Sequence, residues 1–268
     1  MKPYVEKSLF REGILKPGSF SYNYDLRCYE PSGELAPFVE HYFISRRCEG
    51  FDPEYTGDDV LSQPIVTLFI KPEGAYFEGP TAGRRTLVAK DWPIYVGAQF
   101  KPGGFYPFWK TPVSKLAETR IDAAQVVPAL TQGVVRNLLL QDNQQILAGI
   151  ETLLKTELPE YDANLEAIAK IIDSIENDTD VTTVAKLAAR VGKSERSVQH
   201  LFQTYVGVGV KWAIMRARFL EVIKYARQHE KPDWLRIAAE YGYSDQSHFI
   251  NDFKKLTGES PSRYMNDL

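Results

Sequence analysis

A helix–turn–helix pattern occurs twice in the C-terminal third of this chain, with one long amphipathic segment between the copies. In the first copy, residues 184–192 form a short helix closed by Gly192, and Ser194 opens a second helix carrying Phe202 and Tyr205. In the second, residues 234–241 end at Gly242, Ser244 caps the next helix, and Phe249, Phe253 and Leu256 form a buried stripe ahead of Gly258. Glycine supplies the positive φ of a tight helix reversal, and serine accepts hydrogen bonds from orphan amides at the next helix start. Between the copies, residues 211–228 carry Ile214, Ala217, Phe219, Val222, Ile223 and Ala226 at helical spacing, uninterrupted by glycine or proline. Such a helix spans roughly 27 Å at about 1.5 Å per residue. That length holds two recognition helices about one duplex turn, roughly 34 Å, apart. The pattern predicts two major-groove readers in one polypeptide.

The run from Ile237 to Pro261, through Gly242, Tyr243, Phe249, Phe253, Gly258 and Ser260, resembles the signature of AraC/XylS-type transcriptional regulators. The first copy fits that pattern more loosely, through Ser194, Arg196, Phe202 and Gly207. It departs from it at His200, where a basic residue is usual, and at Gly209-Val210, where Ser-Pro is usual. Leu165, Ile168, Ile171, Ile172 and Ile175 look like the family's leading helix, so the resemblance covers residues 162–268. It implies double-stranded DNA and RNA polymerase as partners.

The chain of 268 residues suits two domains of ordinary size, and its charge is divided unevenly. Residues 181–268 hold 14 basic against 9 acidic side chains, a net +5, while residues 1–180 hold 18 against 26, a net −8. The local positive balance suits attraction to a duplex, and the acidic remainder discourages nonspecific adhesion. No apolar run approaches the roughly 20 residues of a membrane span. The first residues lack an apolar secretion segment, and only Cys28 and Cys48 could pair, so a cytoplasmic location is expected.

Short β-branched and aromatic runs, divided by proline and glycine, fill the first 110 or so residues. Strands are expected at residues 39–44, 65–70, 75–77, 87–89 and 94–100, and helices near 113–119, 125–140 and 143–157. The fold class is α+β: a mainly-β, barrel-like sensor-like domain over 1–124, a helical connector over 125–160, and an all-α tandem helix–turn–helix domain over 161–268. Residues 31–43 and the glycine-rich 96–105 resemble the N-terminal sensor-like domain of a subset of the same family. A small-molecule effector is one expectation for this domain, and homodimerisation or partner docking is the other. A ligand-gated domain should hold a closed cavity of roughly 300 Å³ or more, and a docking module an exposed apolar patch.

Arg196, Gln199, His200 and Gln203 lie opposite Val198, Leu201 and Phe202 on the first recognition helix, and Gln246, Ser247, His248 and Asn251 take the corresponding positions on the second. Guanidinium and amide groups make bidentate bonds to guanine and adenine edges, which marks Arg196 and Gln199 as base readers. For His248, bracing the helix from a partly buried position is the alternative to DNA contact. Arg190, Lys193, Lys211, Arg216, Arg218, Lys254, Lys255 and Arg263 are candidate phosphate contacts, although Arg218 could instead pair with Glu221 or Glu240. Residues 101–104 read as a turn, since no phosphate-loop spacing follows. No Cys, His and carboxylate cluster has ligand spacing, so no metal or cofactor is expected. His41, Asp58 and Asp59 are unpaired as catalytic candidates, which makes the expected chemistry recognition and not catalysis.

Overall fold

The structure, a computed structural model, describes residues 3–4, 23–55, 57–88, 92–229, 232–240 and 245–266. Its N-terminal part is an antiparallel sheet of seven strands in the order β1-β2-β3-β8-β5-β6-β9. These are β1 Pro3–Tyr4, β2 Tyr24–Tyr29, β3 Val39–Arg47, β5 Thr67–Lys71, β6 Gly74–Glu78, β8 Ile94–Phe100 and β9 Arg120–Asp122. Two further strands, β4 Gly57–Leu61 and β7 Arg84–Val88, pair with each other alone among the described residues, as a separate two-stranded ribbon. The sheet is therefore open and not a closed barrel.

Register explains how the sheet acquires two different faces. Tyr29, Tyr42, Ala98, Leu68, Phe77 and Ile121 stand side by side across six strands. All pack into one apolar core with the helices. One position along, Cys28, Phe43, Gly97, Phe69, Tyr76 and Asp122 form the next row, and strand pleating turns it to the opposite face. Gly97 is required there, because a Cβ would lie 2.8 Å from the Phe43 ring and 1.9 Å from the Leu68 carbonyl oxygen. Cys28 and Cys48 are both free thiols. Five residues separate Cys28 from Asn23, whose carbonyl binds the Cys48 amide, so roughly 17 Å of strand keeps them beyond disulfide reach.

The helices are α1 Tyr106–Trp109, α2 Gln132–Leu139, α3 Asn143–Lys155, α4 Asn164–Asn177, α5 Val184–Arg190, α6 Glu195–Leu201, α7 Val210–Arg227, α8 Trp234–Glu240, α9 Gln246–Thr257 and α10 Pro261–Asn266. Two expected helices are shorter than the sequence suggested. The segment near 113–119 holds only the 3-10 turn Val113–Lys115. The stretch 125–140 becomes helical at Gln132, where the Thr131 hydroxyl accepts from the Val134 amide, because Pro128 disfavours helix upstream. The turn at 101–104 forms as expected, with the Gly104 amide bound to the Lys101 carbonyl at 2.8 Å. His41 is buried within β3. No helix among the described residues is long and apolar enough to cross a membrane.

The packing ties the C-terminal residues to the sheet. The apolar core of the sheet is continuous with that of the first helix–turn–helix unit, joining Leu68, Phe77 and Phe100 to Ile168, Leu187, Val198 and Phe202. Gly103 has a positive φ of 87° and presses its backbone against Leu165 and Ile168 of α4. The helix runs over a glycine that no larger residue could replace without strain.

Candidate nucleic-acid interface

The first helix–turn–helix unit is built as its sequence suggests up to the last turn of its second helix. The Thr183 hydroxyl accepts from the Lys186 amide at 3.2 Å to start α5, and Gly192 makes the turn at φ 65°. Ser194 then opens α6 by accepting from the Ser197 amide at 3.2 Å. Val198 and Phe202 are buried, while Lys193, Arg196, Gln199, His200 and Gln203 are all exposed. After Leu201 the helix widens into a π turn over Phe202–Val206, closed by Gly207 at φ 87°. That widening, which nothing in the sequence announced, lets Phe202, Tyr205 and Val206 all be buried.

Tyr205 anchors the unit to its surroundings. Its hydroxyl donates to the Asp162 carboxylate at 2.6 Å and accepts from the Asn164 amide group at 2.8 Å. Its ring lies 4.3 Å from that of Tyr106. Burial, reinforced by the Asp162 carboxylate, pushes its hydroxyl up to about 12.

In the second unit, Phe249, Phe253 and Leu256 of α9 are buried against Phe219, Val222 and Ile223 of α7. Gln246, Ser247, His248, Asn251, Lys254 and Lys255 are exposed. The cap differs from the expected one: Asp245 accepts from the His248 amide at 2.7 Å, whereas Ser244 and Gly242 lie outside the described residues. Asp before an exposed first turn satisfies the same orphan amide and adds a favourable negative charge at the helix start. The His248 side chain is 54% exposed, with Nε2 3.5 Å from an Asp252 carboxylate oxygen. That contact with Asp252 is the bracing one that was the alternative to DNA contact, made from a largely exposed position. Helix α9 ends at Gly258, whose φ is 85° and whose amide binds the Lys254 carbonyl at 2.8 Å.

The phosphate candidates separate once their surroundings are known. Lys193, Lys211, Lys254 and Lys255 are exposed. Arg190 is ion-paired with Asp178, and Arg263 lies 3.7 Å from Glu259. Glu221, one suggested partner of Arg218, lies 3.6 Å from Lys224, and the Glu240 side chain lies outside the described residues. Arg216 must be withdrawn as a phosphate contact. It is 7% exposed, and its Nε donates to the Ser62 carbonyl at 2.7 Å. A buried guanidinium needs such a partner, and nothing local to Arg216 signals that the partner comes from the β domain.

The N-terminal domain holds a narrow cavity of about 60 Å³ between the aromatic face of the sheet and the ribbon. Phe43, Thr67, Phe69 and Gln99 line it from the sheet, and Val60, Leu61, Ser62 and Arg85 from the ribbon side. Arg85 is ion-paired with Glu78. Ser62 Oγ and Arg85 Nε are buried there without a hydrogen-bond partner among the described residues.

Two family models match the chain. Residues 187–267 match the model of a helix-turn-helix domain, and residues 27–122 match that of a domain of unknown function, DUF6597. No curated protein matches the chain. Among solved structures, ToxT from Vibrio cholerae is similar at 14% identity and a TM-score of 0.37, over 92% of this chain and 98% of that one. Its unsaturated fatty acid-bound form is similar at 13% identity and the same TM-score, over 92% of each chain. By these family matches the chain carries a helix-turn-helix domain behind a sheet-rich domain of unknown function, and a helix-turn-helix domain implies a DNA-binding regulator.

Proposed function

We propose that the protein regulates transcription by reading two adjacent half-sites, one with α6 and one with α9. The observation that carries this reading is the paired exposure of polar side chains over buried stripes. Arg196, Gln199, His200 and Gln203 face outward over Val198 and Phe202, and Gln246, Ser247, His248 and Asn251 face outward over Phe249 and Phe253. Lys193, Lys211, Lys254 and Lys255 flank these faces as phosphate contacts. Selection of bound duplexes from a random library tests the proposal. Two half-sites about one helical turn apart are expected, and a single uninterrupted half-site would overturn it.

The N-terminal domain is read as responsive to a small polar molecule. The two partnerless polar atoms in its cavity support this, since each unsatisfied buried group costs about 1–3 kcal/mol. The cavity falls well short of the roughly 300 Å³ expected of a ligand-gated domain. A drug-sized ligand would therefore have to lift the ribbon. A constitutive docking module is favoured less, because the exposed large apolar side chains among the described residues are Leu140, Leu158 and Tyr161, too few for a contiguous patch.

A further inference from the structure

We infer that the ribbon β4–β7 of the N-terminal domain is a clasp that fixes the second recognition helix relative to the first, with Leu61 and Arg84 as its positioning residues. The inference rests on the reading of α6 and α9 as the two DNA-contacting helices.

Three contacts cross from the ribbon to the second unit. Leu61, at the end of β4, is 1% exposed and belongs to the apolar cluster of Phe219, Phe249 and Phe253, not to the core of its own domain. The next residue, Ser62, offers its carbonyl to the buried Arg216 of α7 at 2.7 Å. From β7, Arg84 donates through Nη1 to the carbonyl of Thr257 at 3.1 Å. Thr257 is the last residue of α9, so a guanidinium sits where the orphan carbonyls and negative dipole end of the recognition helix need a cation. Gly258 makes room for it. A Cβ there would fall 2.5 Å from Arg84 Nη1.

None of these contacts touches the reading face. Gln246, Ser247, His248 and Asn251 stay exposed at the opposite end and side of α9, so the clasp sets the pose of the helix without masking it. The same ribbon residues, Leu61 and Ser62, line the cavity. Any change in the cavity that shifts the ribbon is thereby transmitted to the second half-site.

The test uses the full chain with Leu61→Ala/Arg84→Ala, Arg84→Ala alone, and the conservative pair Leu61→Met/Arg84→Lys. Amide hydrogen exchange of the free protein should speed up about tenfold over 246–257 in the double variant and change little over 184–201. Binding is then compared on duplexes with the selected half-site spacing and with about two base pairs inserted. The wild type should discriminate between the spacings and the double variant should not, with discrimination restored in the conservative pair. Unchanged exchange over 246–257, or spacing discrimination retained by the double variant, overturns the clasp. A purely structural role for Leu61 would weaken both duplexes equally, which also overturns it. Should the double variant not fold, Arg84→Ala, at an exposed position, is judged by the same two readouts. If the wild type shows no two-part site, the DNA reading fails, while the exchange comparison in free protein still decides the clasp.

Discussion

The two helix–turn–helix units share a sequence logic and differ in how they are attached. The core of the first is continuous with the sheet: Leu187, Val198 and Phe202 belong to the same apolar cluster as Leu68, Phe77 and Phe100. The second has a core of its own around Phe219, Phe249, Phe253 and Tyr264, and Leu61 is its contribution from the N-terminal domain among the described residues. Helix α7 divides accordingly, with Val210, Ala213 and Ile214 in the first cluster and Phe219, Val222 and Ile223 in the second. A repeated motif can therefore be a fixed extension of one domain in its first copy and a nearly separate body in its second.

The largest expected effect comes from cutting the chain at about residue 160. Removal of the sheet exposes Leu165 and Ile168 where Gly103 now lies, and opens the space at Gly207 that Pro80 and Val113 now fill. The isolated C-terminal fragment should lose protection over α4 to α6 outright and over α8 to α10 only by about the tenfold that loss of the ribbon brings, as read by amide exchange. Equal protection of both units in the fragment would remove the difference between them.

Single core truncations sharpen the same contrast. Phe202 and Phe253 are both fully buried, so alanine at either should cost about 3–5 kcal/mol. In the full chain, Phe202→Ala should lower the stability of the sheet as well, because they share a core. Phe253→Ala should lower protection of 234–264 first and leave strand amides near wild type. Matching profiles for the two variants would show that the molecule unfolds as one unit.

Much of this division was illegible in the sequence for a physical reason. Helix periodicity, glycine turns and serine or threonine caps are local, and they located α5, α6, α7 and α9 closely. Strands at 39–44 and 94–100 were legible from β-branched and aromatic runs, but β2 alternates Tyr24, Leu26 and Cys28 with charged residues and gave no run to detect. Contacts made at long range leave no local trace. Arg216 reads as one more surface cation on a basic helix, and only its distance to the Ser62 carbonyl reveals it as an interdomain bond. Leu61 likewise reads as an ordinary strand residue, and its place in the core of the second unit depends on the ribbon leaving the main sheet. The outward polar faces of α6 and α9 were legible because amphipathicity fixes them.

Base contacts test whether the differently attached units work on different half-sites. Alanine at Arg196 or Gln199 should cost about 1–3 kcal/mol at the cognate site and blur preference at one base position. Gln246→Ala and Asn251→Ala should act on the other half-site. Equal weakening on cognate and scrambled duplexes would reduce these residues to phosphate contacts, and effects in a single shared half-site would contradict the two-unit geometry.

The smallest effect concerns the bond that ties the first unit to its leading helix. The Tyr205 hydroxyl, bound to Asp162 and Asn164, is raised by burial to about 12 from an ordinary value of 10.0. Because the folded state holds this proton more tightly than the unfolded state does, its stabilising contribution is complete below pH 10 and is lost as pH climbs toward 12. Tyr205→Phe removes the hydroxyl and leaves the ring on Tyr106, so near pH 9 it should cost about 1 kcal/mol. Urea melts at rising pH should show wild type and Tyr205→Phe converging, since every other titrating group is common to both. A gap that stays constant up to pH 12 would mean that the hydroxyl does not titrate in that window, and the anchoring of the first unit would then rest on ring packing alone.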